Sequence, residues 1–273
     1  MSLSTQPSGR YAGLDRGEVQ SLAKGLAVIE AFGAGHSAMT LSEVARRTGM
    51  TPGSAQRVLR TLAALGYVGS DGTHFSLRPR TLQLGYAYLS SLPLTAIAQP
   101  LLSALTARTE ETCSLALLDG DSVIYVARAP ARRLRQDYMS VGTRMPAHAT
   151  SVGKVLLAAL PPEALDAALQ DHARAALTPS TLTDLAAVRA AVAEARDRGF
   201  ALNDQETIMG LRSIAVPVVA EGKTVAALGL SAEVARVSVA ELKSRLLPPL
   251  QEAATAMAAA LGAREQSPWD WRA

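Results

Sequence analysis

Apolar residues recur every three to four positions through residues 19–65, a period typical of amphipathic helices. The first predicted helix covers residues 19–32 and stops before Gly33 and Gly35. Its expected buried face is formed by Leu22, Leu26, Ile29 and Phe32. Thr40 and Glu43 match a T-x-x-E capping box, in which each side chain satisfies a free backbone N–H of the other residue. A second, shorter helix therefore begins there, with Leu41, Val44 and Ala45 facing inward, and ends at Gly49.

A third helix and a hairpin complete this first region. Thr51 is placed to cap the helix, and Pro52 stands at its first position, where a missing N–H costs nothing. The expected buried stripe consists of Ala55, Val58, Leu59, Leu62 and Leu65. Short apolar runs at 67–68 and 75–77 flank Asp71-Gly72, a tight-turn signal. Two short helices joined at Gly49 and followed by a hairpin predict a winged helix-turn-helix.

The outward face of the third helix carries side chains suited to DNA. Arg and Gln make bidentate contacts with base edges, and Ser and Thr bind phosphates or bases. Taken alone, this face also fits an ordinary solvated helix, but the turn and the wing favour DNA. The predicted DNA-contacting residues there are Thr51, Ser54, Gln56, Arg57, Arg60 and Thr61. Backbone contacts are predicted for Arg46, Arg47, Arg78 and Arg80, the last two with a purely solubilising role as the alternative.

The remaining chain predicts an α+β domain with a mainly antiparallel sheet, because its strand-like runs are joined by tight turns and its helices are segregated. The strands are expected at 114–118, 122–128, 211–219 and 224–231, and the helices at 94–108, 151–160, 163–170, 184–198 and 239–261. The expected organisation is a disordered arm (1–17), a winged helix-turn-helix (18–80), a linker helix (81–93), a ligand-binding domain (94–262) and a tail (263–273).

Composition narrows the functional classes. Of the 273 residues, 48% are hydrophobic and 19% charged, which fits a globular chain. Residues 1–80 carry nine basic and five acidic side chains, whereas the rest carries 18 basic and 19 acidic ones. The excess of positive charge therefore lies in the N-terminal region, which fits a nucleic-acid-contacting module. The single cysteine, Cys113, excludes an intrachain disulfide, and no long apolar run suggests a signal peptide or membrane span. We therefore expect a cytoplasmic protein without membrane contact.

Several longer segments resemble the IclR family of regulators. They are QSLAKGLAVI (20–29), TLSEVA (40–45), LAALGY (62–67), GTRMPAHATSVGKVLLA (142–158), DQE (204–206) and GLRSIAVPV (210–218). These segments are most similar in sequence to the branch that controls the β-ketoadipate pathway, whose members sense protocatechuate, 4-hydroxybenzoate or related acids. The resemblance implies a winged helix-turn-helix, a linker helix and a GAF-like effector domain, assembled as a homodimer or homotetramer on partly palindromic double-stranded operator DNA. Many relatives carry a basic residue where this chain has Pro52, which puts the family's operator preference in doubt here.

The second domain also suggests a site for a small carboxylic acid. Thr150 or Ser151 opens a helix, and a helix N-terminus attracts anions. Arg212 is suited to a bidentate carboxylate contact, with internal pairing to Asp204 or Glu206 as the alternative. Ser151, in turn, fits a simple cap equally well. The predicted effector-binding residues are Met145, His148, Ala149, Thr150, Ser151, Gly153, Asn203, Asp204, Glu206, Arg212, Ser213 and Ile214, with Met145 and Ile214 as apolar walls.

An enzyme is the competing hypothesis. Cys113 and His148 would be the nucleophile and base of a hydrolase or isomerase, with the winged helix as a docking module. No orienting third residue is identifiable, however, and a free cysteine is usually a small buried hydrophobe. The four histidines lack metal-ligand spacing, and no phosphate loop is present. The sequence thus predicts a ligand-responsive DNA-binding regulator of aromatic-acid catabolism, without catalysis, metal or cofactor.

Overall fold

The computed structural model describes residues 17, 19–33, 35–131, 139–170 and 174–262. The chain divides into two compact units, Met1–Tyr88 and Leu89–Ala273. Apart from Gly17, the arm expected at 1–17 lies outside the described residues, as does the tail 263–273. The finer boundaries expected at 80/81 and 93/94 stay predictions.

The first unit contains three helices and a small antiparallel sheet. Its elements are α1 (Gln20–Ala31), β1 (Ala38–Thr40), α2 (Leu41–Thr48), α3 (Pro52–Ala64), β2 (Val68–Ser70) and β3 (His74–Leu77), with strand order β1-β3-β2. The capping box is confirmed, since the Glu43 N–H donates to Thr40 Oγ1 at 3.3 Å and the Thr40 N–H donates to Glu43 Oε2 at 2.8 Å. Gly49 ends α2 in the left-handed conformation that favours glycine. The predicted winged helix-turn-helix elements are therefore present.

The buried face of α1 differs from the expected one. Its buried side chains are Ala23, Ala27, Val28 and Ala31, with Phe32 just beyond the helix. Leu22 and Leu26 are instead 63% and 40% exposed, so the predicted face is wrong at these two positions. Alanines let α1 lie close to α2 and α3, which a row of leucines would prevent. Leu65, expected in the α3 stripe, is 52% exposed because α3 has already ended at Ala64.

One helix, α4 (Leu82–Ser91), follows the 3₁₀ turn Pro79–Thr81, and the division between the units falls within it. The second unit is an α+β fold, as predicted. Its elements are α5 (Pro93–Thr109), β4 (Thr112–Asp119), β5 (Ser122–Ala129), β6 (Arg144–Pro146), α6 (Ser151–Ala158), α7 (Pro162–Gln170), α8 (Leu185–Arg198), β7 (Ala201–Asp204), β8 (Leu211–Ala220), β9 (Lys223–Glu233), α9 (Val239–Glu241) and α10 (Leu247–Gly262). All strand pairs of its six-stranded sheet, order β6-β5-β4-β9-β8-β7, are antiparallel. The short strands β6 and β7 were not predicted.

The two faces of this sheet pack against different helices. Alternate strand residues such as Leu115, Ile214 and Leu230 form a core with α5 and α10. Their neighbours Ala116 and Ala215 face the opposite way and pack with α6 and α8. Because successive strand residues point to opposite faces, each predicted site residue on a strand is assigned to one layer.

The long C-terminal helix, expected as one piece over 239–261, contains a π turn at Leu242–Leu246 between α9 and α10. The buried residues Leu242, Leu246, Leu250 and Ala254 recur every four positions. An α-helix repeats every 3.6 residues, so this spacing would drift around its surface. The wider π turn compensates for part of that drift and keeps the four side chains in the core.

Candidate nucleic-acid interface and ligand cleft

The face of α3 opposite its buried residues presents polar and basic groups. Gln56, Arg57, Arg60 and Thr61 are exposed, whereas Thr51 caps the helix by accepting the Ser54 N–H at 3.3 Å. The Thr61 hydroxyl donates to the Arg57 carbonyl at 3.0 Å. Within the described ranges, the guanidinium groups of Arg57 and Arg60 have no hydrogen bond or ion pair. Both groups are thus available for a partner outside the chain.

The other basic residues predicted to contact DNA have mixed surroundings. Arg47 Nε donates to the Ala31 carbonyl at 3.2 Å, and Arg80 Nη1 donates to the Leu65 carbonyl at 2.8 Å. The Arg78 side chain packs over Gly69, where a Cβ would lie only 2.7 Å from Arg78 Nε. Arg46 is exposed, and its charge helps to lower the pKa of Glu43, whose main cause is the Thr40 hydrogen bond. Arg47, Arg78 and Arg80 therefore stabilise the unit itself, and their role on DNA stays a prediction.

In the second unit, a cleft lies between the first turn of α6 and the polar ends of β7, β8 and β9. Its free internal volume is about 20 Å³, which is room for roughly one water molecule. Five predicted effector residues meet in its wall: Thr150, Ser151, Asn203, Arg212 and Ser213. Ser151 Oγ and Ser213 Oγ are 2.8 Å apart, and the Thr150 hydroxyl accepts the Gly153 N–H at 2.9 Å. Asn203 Nδ2 donates to the Ala149 carbonyl.

Several residues that line this cleft were not among the predicted effector-binding residues. Strand register places Ser213 beside both Asn203 and Ser231, which makes a polar row across three strands. The further lining residues are Ser114, Tyr125, Met139, Val152, Thr207, Leu211, Gly229 and Ser231. Burial raises the pKa of Tyr125 above its usual range, so its phenol remains a neutral hydrogen-bonding group. The sequence did contain a signal for two of these residues. Ser114 in β4 and Ser231 in β9 are serines within otherwise apolar strands, at positions that face α6.

The first turn of α6 has free hydrogen-bond donors. The backbone N–H groups of Ser151 and Val152 have no acceptor within the described ranges, and both residues line the cleft. Such N–H groups at the positive end of a helix dipole bind carboxylates. The cleft is therefore chemically suited to an anionic group held by backbone donors and neighbouring serine hydroxyls.

Arg212 is held by the protein itself. Its Nε donates to Asp204 Oδ1 at 3.2 Å, and its Nη1 donates to the Val237 carbonyl at 2.9 Å. The internal pairing considered as the alternative is thus the observed arrangement. Ile214 lies on the other face of the sheet, beneath α5 and α10, so it supplies no wall to the cleft. Met145 belongs to the core beside α6 rather than to the cleft lining.

Glu206, another predicted effector residue, forms a buried ion pair with Lys154. The side chains are 9% and 4% exposed. The Glu206 N–H donates to Asn203 Oδ1 at 3.0 Å, and its carbonyl accepts from the Thr181 hydroxyl at 2.6 Å. These contacts fix the loop after β7 and hold Asn203 in the cleft wall. The signal in the sequence was a lysine within the otherwise apolar helix SVGKVLLA.

The two residues of the enzyme hypothesis are not brought together. Cys113 is buried in the core beneath α5 and α10, and burial raises the pKa of its thiol to about 11. His148 lies in the 3₁₀ turn that packs against α6, on the other side of the sheet, and burial lowers its pKa. The imidazole of His148 cannot take the proton of a thiol on the other side of the sheet, so the two residues do not form a nucleophile–base pair. Among the described residues, no cluster of three or more His, Cys, Asp or Glu could hold a metal, and no single helix has the length and hydropathy to cross a membrane.

Gly153, also predicted as an effector residue, has a packing role that gives a testable prediction. A Cβ at this position would lie 2.1 Å from the Ala147 carbonyl oxygen, a backbone atom that cannot move aside. We expect Gly153→Ala to lower the free energy of unfolding by about 3 kcal/mol or more, measured by urea denaturation. Gly229→Ala is the matched control, since its Cβ would meet a side-chain atom, Val152 Cγ1, at 2.7 Å rather than backbone, and it should cost less, about 1 kcal/mol. Equal losses in both variants would contradict the assignment.

Comparison with known proteins assigns the family. The model of the IclR helix-turn-helix domain matches residues 21–72, and that of the bacterial transcriptional regulator IclR C-terminal domain matches residues 86–259. The Pca regulon regulatory protein of Pseudomonas putida is 43% identical over 232 residues, covering 84% of this chain and 80% of that protein. The chain belongs to the IclR family. The resemblance seen in the sequence motifs, including the β-ketoadipate branch, is confirmed.

Two further IclR relatives connect the family to aromatic acids. The p-hydroxybenzoate hydroxylase transcriptional activator of Acinetobacter baylyi is 39% identical over 242 residues, covering 86% of this chain and 89% of that protein. The crystal structure of an IclR homolog from Microbacterium hydrocarbonoxydans, complexed with 4-hydroxybenzoate, has 27% identity and a TM-score of 0.75, covering 89% of this chain and 99% of that one. This IclR protein is a ligand-responsive transcriptional regulator, and the hydrolase or isomerase hypothesis has no support.

Proposed function

We propose that this IclR protein controls genes of aromatic-acid catabolism and that its effector is a small aromatic carboxylic acid. Relatives named for the Pca regulon and for p-hydroxybenzoate hydroxylase support this assignment. The observation that carries it is the cleft at the N-terminus of α6. There, two free N–H groups and a row of serines meet the buried phenol of Tyr125. A ring carrying one carboxylate and one hydroxyl matches that chemistry.

The effector's carboxylate would accept hydrogen bonds from the N–H groups of Ser151 and Val152 and from the Ser213 hydroxyl. Its ring would lie against Leu211, and its phenolic hydroxyl would meet the buried phenol of Tyr125. Arg212 lies at the same cleft and contributes a positive field, although Asp204 holds its guanidinium. The backbone donors are fixed in place, but the free volume of the cleft is small, so an aromatic ring would have to displace half-buried lining side chains such as Met139 and Leu211 as it enters.

The first unit would bind operator DNA with α3 in the major groove. The contacts would come from the exposed face of α3, with Arg57 and Arg60 reading bases and Thr51 and Arg46 contacting phosphates. A homodimer or homotetramer is part of the proposal. Exposed apolar side chains on one helix support it: Leu82 and Tyr86, one turn apart on α4, are 76% and 70% exposed, and neighbouring groups of this kind can mark an association surface. Leu22 on α1 is 63% exposed. Paired recognition helices would then meet two half-sites, and effector binding would shift their spacing.

Operator binding is tested by fluorescence anisotropy with labelled DNA from upstream of the protein's own gene. We expect sequence-selective binding that weakens steeply with salt, because phosphate neutralisation releases counterions. A scrambled duplex of the same composition is the control. Equal affinity for both duplexes at every salt concentration would refute a specific regulator.

Effector binding is tested by thermal unfolding with protocatechuate, 4-hydroxybenzoate and benzoate. A ligand at 100 times its dissociation constant adds about 2.7 kcal/mol of stability. Ser231→Leu fills the cleft and should abolish this gain, whereas Ser244→Leu, at an exposed position outside the cleft, should leave it unchanged. If none of the three acids stabilises the protein, or if Ser231→Leu retains the full gain, the proposed effector class or its site is wrong.

A further inference from the structure

A second cavity lies between β7, the edge strand of the sheet, and α8. Its free volume is about 180 Å³, and it shares no residue with the effector cleft. Its apolar walls include Leu182, Ala191, Phe200 and Leu202. Edge strands are usually paired or tightly covered. The cavity leaves part of β7 uncovered beside α8, and apolar cavities of this kind bind small molecules.

Lys154 provides the buried polar group of this cavity. Its side chain is only 4% exposed. The ammonium donates to Glu206 and, at 3.3 Å, to the carbonyl of Leu202 in β7. A lysine has three N–H donors, and no third acceptor occurs among the described residues. The second carboxylate oxygen of its partner, Glu206 Oε2, is also buried without a hydrogen-bond partner. The ion pair therefore leaves one ammonium donor at the cavity wall, and one carboxylate acceptor on its partner, for a polar group from outside.

The charges around the cavity are already balanced. Glu206 neutralises Lys154, and at the rim Glu194 pairs with Arg198 one helical turn away on α8. A carboxylate entering this space would be a further buried charge without its own counterion, which is costly. A neutral molecule avoids that cost and still satisfies the free donor.

We propose that this cavity is a second ligand site, which binds a neutral, mainly apolar small molecule through one carbonyl or hydroxyl oxygen that accepts from Lys154. It would differ from the effector cleft in both position and chemistry. The cleft offers backbone donors suited to a carboxylate, whereas this cavity offers one ammonium donor within apolar walls. The proposal does not depend on the identity of the effector.

The test uses the full chain and acetophenone, a neutral arene with one carbonyl oxygen, in isothermal titration calorimetry. We expect saturable binding to the wild type and at least fivefold weaker binding of ethylbenzene, which lacks the oxygen. Ala191→Phe fills the cavity and should weaken acetophenone binding at least tenfold. Ala193→Phe, an exposed position on the same helix, is the matched control and should change it less than twofold. No saturable binding, or binding that survives Ala191→Phe, would overturn the proposal.

Two further variants keep the result interpretable. Ala191→Leu adds less volume, so it serves if thermal melting shows that Ala191→Phe does not fold, and at least a threefold loss is expected from it. Ser231→Leu blocks the effector cleft and should leave acetophenone binding unchanged. If Ser231→Leu abolishes binding while Ala191→Phe retains it, acetophenone occupies the effector cleft and there is no second site.

Discussion

Replacing Arg57 by alanine is expected to weaken operator binding by roughly 5- to 150-fold, which corresponds to the loss of about 1–3 kcal/mol for one bidentate base contact. The double variant Arg57→Ala, Arg60→Ala should lose roughly the product of both effects, because each guanidinium is exposed and has no partner within the described residues. Neither change disturbs a contact of the fold itself. The measurement is anisotropy against the operator and the scrambled duplex, at fixed salt.

Lys24→Ala is the control for overall charge, since Lys24 is an exposed basic residue on α1, outside α3. It should lower affinity for both duplexes slightly and to the same extent. Arg57→Ala should instead reduce the ratio between specific and scrambled DNA. An unchanged ratio in the double variant would mean that α3 does not read bases.

The second large effect is expected from the buried ion pair behind the effector cleft. Lys154→Met leaves the Glu206 carboxylate buried without its cation, and the free energy of unfolding should fall by about 3–5 kcal/mol. Adding Glu206→Met removes the orphaned charge and should recover most of this loss. Urea denaturation at pH 7 of the two single variants, the double variant and the wild type gives the coupling energy.

Arg198→Ala provides the comparison for that experiment. It breaks the pair with Glu194 on α8, where the two side chains are 49% and 53% exposed, so solvent screens the interaction. Its cost should stay below about 0.5 kcal/mol. If Lys154→Met costs no more than Arg198→Ala, the buried pair does not hold the loop after β7.

Local signals predicted the elements of this protein well. The Thr40–Glu43 capping box, the Thr51 cap and the Asp71-Gly72 turn each act over three or four residues, so the chain shows them directly. They suffice for the winged helix-turn-helix. Strands as short as β6 and β7 carry too few residues for a pattern, and only pairing with β5 and β8 defines them.

Contacts between residues that are far apart in the chain could not be predicted from local sequence patterns. Lys154 and Glu206 are 52 positions apart, and neither identifies the other as its partner before the fold is known. The buried face of α1 was predicted wrongly for a related reason. Leu22 and Leu26 are the strongest core candidates by size, yet the residues that pack against the other helices are Ala23 and Ala27. Predicting the cleft required the sheet register, which places Ser231 next to Ser213.

The close packing of α6 also limits how effector preference can evolve. An added Cβ at Gly153 would lie 2.1 Å from a backbone oxygen of Ala147, so the inner wall of the cleft cannot be remodelled by larger side chains there. Met139 and Leu211 are half-buried lining residues at the cleft, where a change of size displaces no backbone. Descendants of this protein that recognise bulkier or slimmer inducers should therefore diverge first at these two positions, while the glycine beneath the helix remains invariant.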